Sequence, residues 1–183
     1  MLSALTLVLA AGVALPVEGN PQSKVKVVVY EDLQCPDCAA FRLMMDQQLL
    51  PRYGSQVAFV HKDFPLTKHA WARLAAVAGR HFAAVSPEAG VRWRQWIMGN
   101  IRQTTLDNFR DKVAEFARGQ GVDPAAARNA LDNPDYAAQV ERDFQEGVAR
   151  GVAKTPTVFV NGQPFIERFS FEALAAAIDQ ALQ

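Results

Sequence analysis

A strand, a helix and a second strand occupy residues 24–62, and this run constrains the fold more than any other part of the chain. Lys24-Val25-Lys26-Val27-Val28-Val29-Tyr30 alternates and then becomes a β-branched run, the pattern of a buried strand. The spacing predicts a helix from Pro36 to about Leu50, ended by Pro51, and a second strand over Val57-Ala58-Phe59-Val60-His61-Lys62. Two strands joined through such a helix run parallel, because the crossover returns the chain to the same end of the sheet.

The next stretch is helical. Trp71, Leu74, Ala75, Ala78, Phe82 and Val85 keep helical spacing on one face, with Arg73 and Arg80 off it. Ser86-Pro87-Glu88 reads as an N-cap, a first-turn proline and a first-turn acid, before a helix that buries Trp93, Trp96 and Ile97. Thr105 is the expected cap of a helix carrying Leu106, Phe109, Val113 and Phe116. Asp123-Pro124 and Asn133-Pro134 open two more, the second with Ala137, Val140, Phe144 and Val148 on one stripe. Strand character returns at Thr157-Val158-Phe159-Val160. Asn161-Gly162 then signals a hairpin into Gln163–Ile166, and Ser170 caps a last helix, Phe171 to Leu182. The order βαβ, helical block, ββα describes an α/β domain over 16–183 with a helical insertion over about 67–152.

Residues 1–15 form an uncharged apolar run that ends in Gly12-Val13-Ala14 and Pro16. It has the length of a secretory leader core, here a signal-peptide remnant; the competing reading is a packed N-terminal helix or strand. Charge is balanced, 19 basic against 19 acidic residues, which gives no footprint for nucleic acid. Arg73, Arg80, Arg92 and Arg94 read as solvated helix faces, and Met44 and Met45 as core.

The chain has two cysteines, Cys35 and Cys38, both in the turn between the first strand and its helix. A disulfide there closes too small a loop to restrict the unfolded chain, so the pair is placed for chemistry, not stability. At a helix start, free N–H groups and the helix dipole stabilise a thiolate on Cys35, and Cys38 lies one turn along the same face. Thiol–disulfide exchange follows from that spacing: Cys35 forms a mixed disulfide and Cys38 resolves it. A zinc site would need two further ligands. His61, His69 and His81 stand at no zinc-ligand spacing, so no metal and no cofactor is expected. Pro156, in Lys154-Thr155-Pro156-Thr157, begins the strand after the helical block, where a proline is tolerated.

Together these residues resemble a known family. Cys35-Pro36-Asp37-Cys38 at a helix start, a helical insertion, and Thr155-Pro156-Thr157 before an Asn-Gly hairpin resemble the DsbA-like branch of the thioredoxin superfamily, and the BdbD-type extracytoplasmic oxidoreductases in particular. Val17-Glu18-Gly19-Asn20-Pro21 is similar to that family's lead-in to its first long strand, and Phe64-Pro65-Leu66 with His69 to the segment after its second. The resemblance implies a thioredoxin-like fold and a cis Pro156 lying against the two cysteines. It also implies that Thr155 offers its backbone to an extended protein substrate, and that the partner is a membrane oxidase of the DsbB or vitamin K epoxide reductase type. Location in the periplasm or cell envelope comes with it.

Two positions depart from the family pattern. The buried acid usual six residues before the first cysteine is replaced by Val29, which leaves Glu31 and Asp32 as the candidate proton relays. The residue before Cys38 is Asp37, where strong oxidants carry histidine. Two unit charges about 6 Å apart interact by roughly 0.7 to 3 kcal/mol at effective dielectrics of 80 to 20. That corresponds to about half a unit to two units on the Cys35 pKa, so Asp37 is expected to make the disulfide a weaker oxidant, with Pro36 stiffening the turn. A reductase or isomerase direction therefore stays open. So does a different class of function, a peptide-binding chaperone-like module whose cysteines only switch it.

Overall fold

The computed structural model describes residues 17–183, so the apolar run over residues 1–15 lies outside the described residues. Strand β1 (Val17–Gly19) comes first and is a strand that no sequence pattern announced. Three residues carry too little alternation for a signal; antiparallel pairing with β3 (Ala58–Asp63) makes them a strand. Strand β2 (Lys26–Glu31) pairs in parallel with β3, Val27 opposite Phe59 and Val29 opposite His61. Helix α1 (Pro36–Met44) lies on the crossover between them. On the other side of β2 runs antiparallel β4 (Thr157–Val160), followed by β5 (Gln163–Ile166), giving the order β1-β3-β2-β4-β5. The β4–β5 turn is Asn161-Gly162, with φ of 43° and 97°, the left-handed pair that matches the twist of a tight hairpin.

Alternation along β2 sorts its side chains to two layers. Val27 and Val29 pack with Phe41, Met45, Leu49, Leu174 and Ile178, beneath α1 and α8 (Phe171–Ala181). Tyr30 faces the other way, against Phe64, Val152 and Phe159, with Phe144 of α7 (Pro134–Ala149) beside them. The helical block between β3 and β4 contains α3 (Ala72–Val85), α4 (Pro87–Gly99), α5 (Phe109–Gly119), α6 (Pro124–Asn129) and α7. Its aromatic core of Trp71, Phe82, Trp93, Phe109 and Phe116 is continuous with Leu33 and Cys38. The Trp93 indole, fully buried, donates to the Ala75 carbonyl at 2.8 Å, so its polar atom is not stranded. Ser86, Asp123, Asn133 and Ser170 each cap their helix by accepting a backbone N–H, as their residue types predict.

Several expectations need correction. The first helix does not stop at Leu50. It widens into a π-turn over Met45–Leu49, in which Leu50 N–H bonds Met45 O, and continues as α2 (Leu50–Tyr53) through Pro51. A wider turn accommodates a residue that has no N–H and whose ring crowds the preceding turn. Asn108, not Thr105, stands at the N-cap of α5, with Thr105 and Asn108 exchanging side-chain-to-backbone bonds just before it. Leu106 and Val148 point to solvent, 53% and 49% exposed, because Leu106 precedes the helix and it is the neighbouring Gly147, one position round α7, that faces the sheet. Met45 is core, whereas Met44 is only half-buried.

The largest correction concerns two arginines. Arg80 and Arg94 are 4% and 1% exposed, not solvated. Arg94 pairs with Glu31 at 2.6 Å and with Asp63, and Arg80 pairs with Asp63 at 2.8 Å and with Asp143. Strands β2 and β3 end in acids at Glu31 and Asp63, and the insertion supplies the cations that neutralise them. Charge sign alone cannot report this; burial of an arginine is set by which carboxylates the tertiary fold brings to it.

Candidate active site

Backbone geometry at the end of β2 builds the site. Asp32 accepts the Cys35 N–H at its carbonyl, 3.0 Å, which tightens the turn into α1. Cys35 is the N-cap residue with extended backbone (φ −77°, ψ 124°), and Ala39 N–H returns to its carbonyl at 3.1 Å. Pro36 at the first helical position has no N–H, so the next donors, Asp37 and Cys38, are the ones left facing the Cys35 sulfur.

The second wall comes from the far end of the chain. The Thr155–Pro156 peptide bond is cis. Cys35 Sγ lies 3.4 Å from the Thr155 carbonyl oxygen. The antiparallel register of β2 and β4, Tyr30 opposite Thr157, brings the two segments together.

The two thiols have opposite electrostatics. The Cys38 side chain hydrogen-bonds the Cys35 sulfur and is the main cause that lowers its pKa, to about 6. Burial opposes this, and the backbone N–H groups of Cys38 and Asp37 add to the lowering. Cys38 is fully buried, and burial first, then its neighbour Cys35, pushes its thiol well above the ordinary value. The Glu31 carboxylate adds to that rise, while the Asp32 N–H, 3.4 Å from Cys38 Sγ, works against it. One cysteine is therefore a thiolate near neutral pH and the other a protonated thiol, the asymmetry that a nucleophile and its resolving partner require.

Both candidate relay acids are buried, but in different settings. Asp32 has its Oδ1 occupied by Gln34 N–H at 2.7 Å. Its Oδ2 is occupied by Leu66 N–H at 2.7 Å and His69 Nδ1 at 2.8 Å. Glu31 Oε1 meets Arg94 and, at 2.7 Å, His61, while Oε2 has no partner among the described residues. Burial pushes the Glu31 carboxyl up, but His61 and Arg94 outweigh it and hold it at about 2. Val29, at the position where the family carries its acid, is a fully buried core side chain.

Cavities open on several sides of the cysteine turn. One of about 290 Å³ is lined by Cys35, Asp37, Lys68, Lys154, Thr155 and Glu167, among others. One of about 460 Å³ runs along the outer side of α1 between Phe41, Met44, Phe169 and Arg168. Asp37 borders both, half-buried. Met44 thus lines an open groove, the lesser of the two readings its sequence position allowed beside core packing. Sequence reasoning missed His69 as a partner of the site and gave His61 no role. Neither has a local signal, since each meets its carboxylate only across loops or strands. No group of side chains that could hold a metal ion occurs among the described residues.

With that geometry in place, the comparisons are specific. The profile of the family described as Thioredoxin matches residues 13–180. The chain belongs to the thioredoxin family. Within it, the solved oxidised structure of BdbD from Bacillus subtilis superposes with a TM-score of 0.78 at 22% identity, covering 92% of each chain. Disulfide bond formation protein D of the same bacterium is 21% identical over 174 residues, 92% of this chain and 77% of that protein. The chain's sequence also matches part of a larger protein, Na(+)/H(+) antiporter NhaA 3 of Salinispora tropica. The two are 30% identical over 167 residues, 90% of this chain and 24% of the antiporter. The chain thus spans about a quarter of the length of the first curated relatives it matches. Among the described residues, no helix is long and apolar enough to cross a membrane.

Proposed function

We propose that residues 16–183 act as one thioredoxin-like unit that exchanges disulfides with protein substrates outside the cytoplasm. Cys35 is the attacking and attacked sulfur, and Cys38 resolves. The observation that carries this reading is geometric: Cys35 stands at the N-cap of α1 with its sulfur 3.4 Å from the carbonyl of Thr155, which precedes a cis proline, and Cys38 lies buried one turn along. Pro36 and Asp37 tune Cys35 through the helix start. Thr155 and Pro156 form the wall on which an extended substrate backbone docks, which gives affinity without sequence specificity.

In this reading Glu31 acts through its charge. A carboxylate held at about 2 does not store a proton near neutral pH; it keeps Cys38 in its thiol form. Asp32 has donors on both oxygens and serves the turn. The Cys38 proton then leaves through solvent when the site opens to a substrate. A membrane oxidase of the DsbB or vitamin K epoxide reductase type is the redox partner that fits the family. The half-buried acid at Asp37 favours a weaker oxidant, so a reducing or isomerising direction is the second reading of the same site.

The test is trapping with Cys38→Ala in cells. Recovery of disulfide-linked extracytoplasmic proteins on Cys35, in the reduced state, supports an oxidase; recovery of nothing removes the enzyme reading.

A further inference from the structure

Asp32 is the hub of the loop that carries the cysteines. Its carbonyl accepts from Cys35 N–H, and its own N–H points at Cys38 Sγ from 3.4 Å. Its side chain is fully buried and is held from outside the loop at one oxygen, Oδ2, by Leu66 N–H and by His69. A carboxylate only accepts, so His69 Nδ1 carries the hydrogen and donates to it. His69 in turn is anchored by its own N–H on the Leu66 carbonyl at 3.0 Å, and its ring is 16% exposed. Leu66 and His69 belong to the segment after β3, so the bond from His69 ties that segment to the cysteine turn.

We propose that His69 is a positioning residue for the resolving cysteine: by clamping the Asp32 carboxylate it keeps the Asp32 N–H directed at Cys38 Sγ. This rests on the oxidoreductase reading above. When a substrate disulfide is reduced, the Cys38 thiolate attacks Cys35 Sγ in the mixed disulfide. The Cys35–Cys38 bond forms, the bond from Cys35 to the substrate sulfur breaks, and the substrate leaves as a thiolate that takes a proton from water. In the oxidising direction the same N–H serves Cys38 as leaving group: a substrate thiolate attacks Cys35, and Cys38 departs with the electron pair. Either way the negative charge passes through Cys38, where the Asp32 N–H is the donor that stabilises it.

The reduced protein mixed with an aromatic disulfide such as 5,5′-dithiobis(2-nitrobenzoate) releases one coloured thiolate when Cys35 attacks and a second when Cys38 resolves, so the two steps are read separately. His69→Ala is expected to leave the first, reagent-dependent phase unchanged and to slow the second about threefold to tenfold, the effect of weakening one hydrogen bond. His69→Asn, whose side-chain nitrogen takes the place of His69 Nδ1 and can still donate to Asp32, should restore the second phase. His69→Leu, which has no donor, should behave as His69→Ala and stands in for it if that variant does not fold. An unchanged second phase in both variants without a donor, a proportional slowing of both phases, or failure of asparagine to rescue overturns the proposal. Absence of any second phase in the wild type instead defeats the oxidoreductase reading itself.

Discussion

Cys35 and Thr155 stand 120 positions apart, yet the Cys35 sulfur lies 3.4 Å from the Thr155 carbonyl oxygen. A strand pairing explains the meeting. Thr157 is opposite Tyr30 in the β2–β4 ladder, so the residues just before β4 lie across from those just after β2. In the proposed function, a substrate peptide that pairs with the Thr155 backbone would thereby lie beside the Cys35 sulfur.

The pH dependence of Cys35 follows from its hydrogen bonds. Its alkylation rate by iodoacetamide should rise with pH through a midpoint near 6, the value to which Cys38 and the helix-start N–H groups lower it. The sign for stability is that of a depressed acid. The reduced protein gains stability from the Cys35 thiolate as pH rises from about 6 toward the unfolded thiol value near 9, and loses it as pH falls back through 6. Above that window the buried Cys38, with its raised thiol, works in the opposite sense. Against burial, Glu31 and Glu18 raise the His61 pKa, so His61 contributes stability that is lost as pH rises over part of the same window. The difference in unfolding free energy between the reduced wild type and Cys35→Ser from pH 5 to 9 therefore checks the Cys35 share; a flat difference with an alkylation midpoint above about 8 contradicts it.

Asp37 borders the cavity that Cys35 opens into. Asp37→His should raise the reduction potential, by about 15 to 60 mV for the half to two pKa units argued from Coulomb's law. A glutathione redox titration of the two proteins measures it. An unchanged or lower potential in the variant would show that the carboxylate is not the tuning element.

Removing the Arg94 side chain leaves Glu31 and Asp63 buried with one cation fewer. Arg94→Met should cost about 3 to 5 kcal/mol of unfolding free energy, the penalty for breaking a buried pair on one side. Arg73 pairs with Glu141 at the surface, both sides about half exposed, and Arg73→Ala should cost less than about 1 kcal/mol. Equal urea midpoints for the two variants would mean that the buried array contributes nothing.

Gly147 is where α7 presses on the sheet. A Cβ there would lie 2.6 Å from Phe64 Cδ2 and 3.0 Å from Tyr30 Cδ1, both rings in the core. Gly147→Ala should therefore destabilise by about 1 to 3 kcal/mol despite the better helix propensity of alanine. A thermal midpoint at or above that of the wild type would show that α7 can move away at no cost.

The sequence by itself determined most of the elements and the placement of both cysteines at one strand-to-helix turn. Period-two and helical patterns, capping residues and the Asn161-Gly162 turn are local properties, and each reports its own backbone. Cys35 and Cys38 at a strand-to-helix turn are local as well, which is why their place was readable without a fold. The tertiary structure alone decided what surrounds them. Arg94 looked like a surface cation until β2 and β3 brought Glu31 and Asp63 beneath it. His69 became part of the site only because the loop after β3 folds onto Asp32. Pro51 fits inside a helix because the turn before it widens, and β1 exists only through its partner. Pattern along a chain records which side of an element is buried. It does not record which distant charges share that burial; of these, Glu31 adds to the rise of the Cys38 thiol, which burial itself begins.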